Sequence, residues 1–513
     1  MAARPEGQAP ALAVGEPVEL RATHASWVYL GRDQVWKLKR PVDLGFLDFR
    51  TPEARRRCCE DEVRLNRRLA PDVYLGVLPV RRRGSGLTVQ GEGPIVDWAV
   101  HMRRLPAGAG ADELLASGRL TAAHLARLAR RLAGFHRAAP EARACGDVAA
   151  VRATAYENLA QTERFVGDLL DRETFDAVSD YQRGWLAAHG DRLAARAAEG
   201  RARDGHGDLR LEHVYFEGDA EPLVIDCLEF SERLRGGDVA SDAAFLAMEL
   251  DAAGRPDLAD GFLARLAEAS DDFGLYDVVD FYLSYRAWVR GKVAALVASD
   301  PAAAPEARAA KRREARERFA LALGYARPRA TRTFVVAVGG LPGSGKSTLA
   351  AALGESLAVP VVGSDLTRKA MAGLSPTERG PSALYTDAAR DRTYADLLGR
   401  AARVAGARRS VILDATFSTR SWRAAAAAMA REAGASFIVL ERVEDPAVLQ
   451  SRLARRRREP SVSDATDAEL ARVAARYERP DAAEGFPVVI VGGDEPAPRA
   501  LAALAREGLA RTR

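Results

Sequence analysis

The sequence lacks the features that mark secreted and membrane proteins. It has only 4 cysteines among 513 residues, and none of them form a C-x-x-C pair. Cysteines this sparse exclude a disulfide framework. No run of about 18 apolar residues occurs, which argues against a membrane span. Residues 1–10 are polar and rich in alanine and proline, so we expect a disordered segment and no secretory signal. These absences favour a reducing, cytoplasmic location.

The net charge is small, and lysine is rare. Charged residues make up 28% of the chain but nearly cancel, which leaves a formal net charge of +4. So small an excess over this length argues against a nucleic-acid partner. Only six lysines occur, and three of them, Lys37, Lys39 and Lys346, lie where a lysine can serve phosphate groups. The hydrophobic content of 48% is that of a globular protein, and the length predicts two or three domains.

The most specific motif is a glycine-rich loop between a strand and a helix. An apolar, β-branched run ends near Gly339, and a helical pattern begins at Leu349. Residues 340–347 fit G-x-x-x-x-G-K-[ST], the phosphate-binding P-loop. Its backbone N–H groups can point at phosphates, while Lys346 reaches the β- and γ-phosphates and Ser347 ligates Mg²⁺. The predicted nucleotide-binding residues are Gly340, Pro342, Gly343, Ser344, Gly345, Lys346, Ser347 and Thr348.

Near the N-terminus, a strand lysine precedes a helix glutamate. Residues 35–39 are strand-like, and the alternation of side chains puts Lys37 and Lys39 on one face. The Thr-Pro pair at residues 51–52 then begins a helix that carries Glu62. Protein kinases hold the α- and β-phosphates with such a pair. A solvated lysine on a strand edge is the alternative interpretation.

Two aspartates follow further along the chain. His206-Gly-Asp208-Leu forms a predicted turn, and the short strand Leu223-Val-Ile leads into Asp226. In phosphoryl transfer one carboxylate takes the proton of the acceptor hydroxyl and the other holds Mg²⁺. A β-hairpin with turn-stabilising aspartates is the structural alternative.

Taken together, these motifs resemble the aminoglycoside phosphotransferases and their kinase-like relatives over about residues 15–325. By this resemblance Asp208 is the catalytic base and Asp226 is the main Mg²⁺ ligand. His213 stands where the family has an asparagine as second metal ligand, so it is the candidate for that role. Imidazole suits Mg²⁺ poorly, and the substitution therefore bears on turnover.

The same resemblance implies the nucleotide contacts of this part of the chain. It implies that Lys37 pairs with Glu62 and with the phosphates of ATP, and Lys39 is the other candidate. Residues 22–28, which correspond to the nucleotide-covering loop, depart from the G-x-G-x-x-G pattern of kinases.

The last third of the chain has a sequence pattern typical of a parallel sheet. Asp414 ends one buried strand, where it can act on Mg²⁺ or on its water. Asp365 and Arg368 follow another strand, where they can take the proton of an acceptor and orient it. Helical segments alternate with the strands, which predicts an α/β sheet covered by helices. The five strand candidates are 333–339, 359–363, 410–414, 436–441 and 487–492.

This part resembles the polynucleotide-kinase-like and zeta-toxin-like P-loop kinases over about residues 333–495. The resemblance implies that arginines after the fourth strand form a lid over the phosphates. The candidates are Arg452, Arg455 and Arg456. A charge run is otherwise a solvated helix face.

The whole chain resembles fusion proteins that join an aminoglycoside-phosphotransferase-like kinase to an ATP-binding P-loop domain. The predicted fold class is α/β plus α+β, with a bilobal protein-kinase-like fold followed by a P-loop parallel sheet. The predicted divisions are a disordered segment 1–10, a kinase-like domain 11–325 with lobes 11–104 and 105–325, a linker 326–332, and a P-loop domain 333–513.

The predicted function is ATP-dependent transfer of the γ-phosphate to hydroxyl groups of small metabolites, with sugars among the candidates. ATP, Mg²⁺ and a small hydroxylated substrate are the expected partners. Two alternatives stay open. One is a polynucleotide 5′-end kinase that acts through the P-loop domain. The other is a P-loop kinase that an N-terminal pseudokinase domain regulates.

Overall fold

The computed structural model describes most of the chain. The described residues are 9–23, 25–43, 48–84, 86–301, 303–329, 332–456, 462–463 and 466–509. Contacts divide the chain into two compact units, one of Met1–Thr154 and Leu193–Glu249, the other of Ala155–Arg192 and Leu250–Arg513. This division is not the one drawn from the sequence, so the predicted domain boundaries stay a prediction.

A seven-stranded sheet and one helix open the first unit. The elements are β1 (Leu12–Ala13), β2 (Glu19–Ala22), β3 (Ser26–Leu30), β4 (Gln34–Lys39), α1 (Pro52–Asn66), β5 (Tyr74–Arg83), β6 (Gly86–Thr88) and β7 (Ile95–Arg103). The strand order is β1-β6-β5-β7-β4-β3-β2, and β4 lies antiparallel between β3 and β7. The Thr51 hydroxyl accepts the N–H of Ala54 and so caps α1, as the Thr-Pro pair predicts. Buried Trp36, Leu38 and Val80 pack on one face of the sheet.

Helices and short strand pairs follow. In chain order they are α2 (Ala111–Ala116), α3 (Ala122–Ala138), α4 (Arg143–Gly146), α5 (Val148–Thr162), α6 (Arg172–Ala198), β8 (Ala202–Asp204), β9 (Val214–Tyr215), β10 (Leu223–Val224), α7 (Glu232–Arg235), β11 (Gly236–Asp238) and α8 (Val239–Ala252). α6 is kinked at His189. β9 and β10 form an antiparallel hairpin in which Val214 faces Val224. This hairpin holds the segment after His206 beside the segment that contains Asp226.

The second unit contains three further helices and a parallel sheet. The elements are α9 (Pro256–Ser270), α10 (Val279–Ala298), α11 (Pro305–Ala326), β12 (Phe334–Gly339), α12 (Lys346–Leu357), β13 (Val361–Gly363), α13 (Ser364–Met371), α14 (Asp387–Gly406), β14 (Val411–Asp414), α15 (Arg420–Glu432), β15 (Ser436–Arg442), α16 (Pro446–Arg456), α17 (Asp467–Ala474), β16 (Val488–Val491) and α18 (Pro496–Arg506). The five strands are all parallel in the order β13-β14-β12-β15-β16, which confirms the predicted sheet.

The core of this sheet explains the β-branched runs of the sequence. Val336 and Val338 of β12 and Ile412 of β14 are fully buried against Leu349 and Leu353 of α12. A strand buried on both faces reads as a continuous apolar run, which is the pattern of parallel sheets. Nowhere in the described chain does a helix have the length and apolarity needed to cross a bilayer.

Candidate active sites

Lys37 lies between two carboxylates in the first unit. Its Nζ atom is 2.9 Å from Glu62 Oε1 and 2.7 Å from Asp226 Oδ1. Burial alone lowers the pKa of Lys37, but Asp226 and Glu62 outweigh it and raise that pKa well above its usual value. Lys37 is therefore a fixed cation that connects the helix glutamate to the aspartate after β10.

Lys39 contacts the same glutamate from another direction. Its Nζ atom is 2.5 Å from Glu62 Oε2, and it also pairs with Glu229. The Lys39 side chain is only 2% exposed, whereas that of Lys37 is 16% exposed. Burial alone raises the pKa of Glu62, and the two lysines together lower it. Lys37 is thus the lysine that meets Asp226, while Lys39 pairs with Glu62 and with Glu229, a residue that had no predicted role.

Asp226 has an unusual backbone conformation. Its φ angle is +60°, a left-handed value that costs energy for most residues but is tolerated by aspartate. Its N–H donates to the Tyr74 hydroxyl at 3.1 Å. Burial alone raises the pKa of Asp226, but the Lys37 ammonium and His213 hold it below its usual range. Strained residues of this kind are concentrated at functional sites.

A buried carboxylate holds the loop that carries Asp208. Asp242 Oδ2 accepts the N–H of His206 at 2.7 Å, and Asp242 Oδ1 accepts the N–H of Gly207 at 2.9 Å. The His206 ring contributes as well, because its Nε2 lies 3.0 Å from the Ile225 carbonyl and its Nδ1 accepts the Asp208 N–H at 3.3 Å. No function was predicted for Asp242, because no sequence motif links it to the loop that contains Asp208, 34 residues earlier.

His213 lies between the two predicted catalytic carboxylates. Its Nδ1 atom is 2.9 Å from the carbonyl of Asp208, which accepts a hydrogen bond from it, and 3.6 Å from Asp208 Oδ2. Its Nε2 atom is 3.5 Å from Asp226 Oδ2. The structure therefore brings together the three residues that the sequence proposed for proton transfer and metal binding.

The donors at this place suit Mg²⁺ in one respect only. Within the described ranges, no group of three or more His, Cys, Asp or Glu side chains is arranged to hold a metal ion. Mg²⁺ in phosphoryl-transfer sites takes one or two carboxylates and completes its shell with phosphate oxygens and water. Asp226 fits that pattern, whereas the imidazole of His213 is a donor better suited to transition metals.

The second site lies at the loop between β12 and α12. Gly340 has a φ of +136°, and a Cβ atom there would collide with the Arg442 carbonyl. Gly345 has a φ of +87° and is the N-cap of α12, which begins at Lys346. The loop therefore ends at a helix N-terminus, whose free N–H groups favour anions. This strand–loop–helix geometry is the one that the P-loop motif requires.

Of the predicted lid arginines, Arg452 contacts the P-loop. Its Nη1 atom is 3.3 Å from the Gly343 carbonyl and 3.2 Å from the Ser344 carbonyl, and Nη2 is 3.1 Å from Glu444 Oε2. Arg455 is on the exposed side of α16. The side chain of Arg456 lies outside the described residues.

Three predicted groups follow β14 and β13, which lie one and two places from β12 on the same side of it in the sheet. Asp414 ends β14, opposite Gly363 of β13, and its carboxylate lies close to that glycine. Asp365 Oδ1 is 2.5 Å from Arg368 Nη1 in the first turns of α13. The Arg368 guanidinium also lies 5.0 Å above the ring of Tyr385, a contact that was not predicted. These groups lie at the carboxyl ends of parallel strands, where α/β proteins bind their ligands.

Family models match both parts of the chain. Residues 34–282 match the model described as Phosphotransferase enzyme family, and residues 335–480 match the model described as AAA domain. The chain is therefore a kinase with a phosphotransferase domain followed by a P-loop kinase domain. These matches confirm the predicted fold class and enzyme class.

Relatives cover nearly the full length. Uncharacterized proteins of Mycobacterium tuberculosis and Mycobacterium bovis are each 33% identical over 466 residues, which is 90% of this chain and 90% of each relative. The chain belongs to the same family as these mycobacterial proteins.

Solved structures resemble separate parts of the chain. A choline/ethanolamine kinase family protein from Mesorhizobium loti is 15% identical, covers 61% of this chain and 93% of its own, and has a TM-score of 0.36. A gluconokinase from Sinorhizobium meliloti is 24% identical, covers 35% of this chain and 95% of its own, and has a TM-score of 0.26.

Proposed function

We propose that this kinase transfers the γ-phosphate of ATP to hydroxyl groups of small metabolites at two sites, one in each unit. The observation that carries the proposal is the ion-pair chain from Glu62 through Lys37 to Asp226. Kinases use this arrangement to hold ATP phosphates beside a catalytic aspartate. The P-loop, with its strained glycines and helix N-terminus, supports a second nucleotide site.

At the first site, each side chain has one task. Lys37, fixed by Glu62, binds the α- and β-phosphates. Asp226 is the residue that would hold Mg²⁺, which when bound neutralises charge on the phosphates. Asp208, whose side chain is 28% exposed, accepts the proton of the acceptor hydroxyl. The hydrogen bonds from the His206 loop to Asp242 keep the Asp208 backbone in place.

At the second site, backbone N–H groups of residues 340–348 and the ammonium of Lys346 hold the phosphates. Ser347 and Asp414 are the residues that would hold Mg²⁺ there. Asp365 accepts the proton of the acceptor hydroxyl. Arg368 holds Asp365 in place through an ion pair of 2.5 Å, and it also orients the acceptor. Arg452, already in contact with the loop, neutralises charge that develops on the phosphates.

The surroundings of Asp208 favour a neutral or anionic acceptor over a polyamine antibiotic. Acidic residues near the catalytic loop are neutralised by arginines, because Glu212 pairs with Arg210 and Glu217 lies 2.8 Å from Arg103. An aminoglycoside, which carries several ammonium groups, needs unpaired carboxylates. Resistance to kanamycin-like drugs that is gained on expression and lost in Asp208→Asn would refute this part of the proposal.

The test is phosphate transfer from labelled ATP into a small-metabolite extract. We would compare the wild type with Asp208→Ala, Lys346→Ala and the control Lys311→Ala, whose lysine pairs with Glu314 on α11. The proposal predicts that Asp208→Ala and Lys346→Ala each lose a different labelled product while the control loses none. If no labelled product depends on either residue, the proposal is wrong.

One observation favours a second candidate, in which the first unit is a pseudokinase that regulates the P-loop domain. His213 places an imidazole nitrogen 3.5 Å from Asp226 Oδ2, where the family has an amide oxygen as second metal ligand. The same experiment separates the candidates. Loss of label in Lys346→Ala alone supports the regulatory role.

A further inference from the structure

A cavity in the second unit lies apart from the P-loop residues. Its volume is about 570 Å³, and its walls come from α6, α10, the segment after α11 and the C-terminal end of α14. None of the residues that line it has a role in the proposed reaction. Cavities of roughly 300–1,000 Å³ are the usual size of small-molecule sites, which are common where modules of a protein meet.

One side of the cavity is aromatic. Trp185 stacks on Phe281 with ring centroids 4.6 Å apart and an interplanar angle of 16°. Tyr276 and Phe281 are buried, whereas Trp185 is half-buried and lines the cavity. Trp185 is also stacked with His189, with ring centroids 5.1 Å apart, so the indole offers the cavity only the part of its ring that remains accessible. Aromatic rings pack edge-to-face as well as in offset stacks, so this part of the indole can still contact a planar ring.

The other side of the cavity is cationic. Five arginines and two aspartates line it, namely Arg192, Arg327, Arg329, Arg403, Arg408, Asp277 and Asp280. Both aspartates are already paired, Asp277 with Arg403 at 2.7 Å and Asp280 with Arg409, which lies behind the wall, at 2.6 Å. Among the residues that the structure describes, the side chains of Arg327 and Arg408 have no polar partner. The cavity therefore has positive charge that none of the described side chains neutralises.

We propose that this cavity binds a planar, negatively charged small molecule, in which an aromatic ring carries a phosphate or a carboxylate. The ring packs against the accessible part of Trp185, and the anionic group pairs with Arg327 and Arg408. Guanidinium groups bind both kinds of oxyanion with two hydrogen bonds and stack on aromatic rings, so one cavity meets both needs. Such a ligand contacts the end of α14 and the segment after α11 at once, and it is a third ligand besides ATP and the acceptor.

The test is isothermal titration of the full chain with four probes. AMP carries a ring and a phosphate, 2-naphthoate a ring and a carboxylate, adenosine only the ring, and inorganic phosphate only the anion. The proposal predicts that at least one of the first two probes binds tenfold or more tightly than adenosine and phosphate. Binding of AMP alone identifies a nucleotide-like ligand, and binding of 2-naphthoate alone identifies an aromatic acid.

Variants separate this cavity from the nucleotide sites. Arg327→Gln combined with Arg408→Gln should weaken binding at least tenfold, whereas Arg392→Gln, at an exposed position of α14, should leave it unchanged. Trp185→Phe should keep binding but remove the ligand-dependent change in tryptophan fluorescence. The proposal is overturned if neither aromatic anion binds, or if the double variant binds both as the wild type does. Both arginines are exposed, so we expect the double variant to fold.

Discussion

At the residue scale, the first site depends on one ammonium group that compensates two carboxylates. Glu62 is fully buried, and Lys37 and Lys39 are its ion-pair partners there. Removing one partner of a buried ion pair leaves an uncompensated charge, which is more damaging than losing the pair as a whole. Removal of Lys37 and removal of Lys39 should therefore have different effects, because only Lys37 also contacts Asp226.

Replacing Lys37 tests that difference. We expect Lys37→Met to lower the rate of transfer at the first site by about a hundredfold or more, since it removes the cation that faces the phosphates. Lys39→Met should mainly lower the free energy of unfolding, by about 3 kcal/mol, because Glu62 and Glu229 then lose a buried partner. Rates and urea midpoints of both variants check this, with Lys311→Met as control. Equal rate losses in Lys37→Met and Lys39→Met would contradict the assignment.

His206 gives a pH-dependent prediction. Burial lowers the pKa of His206 from 6.5 to about 4, so its ring stays neutral and its Nδ1 accepts the Asp208 N–H. Because the folded-state pKa lies below that of the unfolded chain, the stability it contributes is present above pH 6.5 and is lost as the pH falls towards 4. A pKa shift of this size lowers the free energy of unfolding by about 3 kcal/mol once the pH is below both pKa values.

The measurement is a histidine NMR titration, with His206→Gln used to assign the resonance. One of the 7 histidines should titrate near pH 4, and the loss of stability on acidification should shrink in His206→Gln. A His206 resonance that titrates near 6.5 would show that the ring is not buried as a neutral acceptor.

Much of the first site could be predicted from the sequence, and the reason is local. Lys37 and Glu62 lie on elements with clear patterns, and Asp208 and Asp226 lie in short motifs. Asp242 and Tyr74 could not be predicted, because each contacts the site only through the tertiary fold.

At the element scale, the P-loop depends on glycines that no other residue can replace. Gly340 has a φ of +136°, and a methyl group there would collide with the Arg442 carbonyl. We expect Gly340→Ala to abolish nucleotide binding at this loop and to lower the free energy of unfolding by about 2 kcal/mol or more. Nucleotide binding is measured by titrating ATP into the Lys37→Met variant with and without Gly340→Ala, so that only the P-loop site is observed. Urea unfolding measures the change in stability.

Gly399 provides the matched control. It lies exposed in the middle of α14, and a Cβ atom there would meet nothing within 4 Å. Gly399→Ala should raise the stability by about 0.5–1 kcal/mol, because alanine favours a helix over the unfolded chain. If Gly340→Ala and Gly399→Ala change the stability in the same way, the strained backbone at Gly340 is not the cause of the loss.

The same scale shows why some elements escaped prediction. The five strands of the parallel sheet were predictable because each lies in an apolar stretch rich in β-branched residues that alternates with a helical segment. β1 and β6, with 2 and 3 residues, are too short to show an alternating pattern. α11 continues to Ala326 through a stretch that contains no proline and only one glycine, so no local signal marks where the helix ends.

At the scale of the whole molecule, the second unit combines the P-loop sheet with helices that the sequence assigned to the first domain. Arg409, two residues before β14, makes two hydrogen bonds to Asp280 of α10, at 2.6 and 3.1 Å. Glu268 of α9 accepts the N–H of Val361 at 2.7 Å. No local sequence pattern links these positions, because the partners lie more than 90 residues apart.

This packing predicts that Arg409 is structural. Arg409→Met should lower the free energy of unfolding by about 2–4 kcal/mol, because Asp280 then loses its buried partner. Arg392→Met, at an exposed position of α14, should change it by less than about 0.5 kcal/mol. Urea unfolding of both variants is the measurement, and a shift below about 0.5 kcal/mol in Arg409→Met would show that α10 and β14 are not coupled.

The most direct test of two nucleotide sites is the number of ATP molecules bound per chain, measured by equilibrium dialysis with Mg²⁺ present. The account predicts two equivalents for the wild type, and one each for Lys37→Met and Lys346→Ala. One equivalent in the wild type, lost in Lys346→Ala and kept in Lys37→Met, would contradict the claim that the first unit binds ATP.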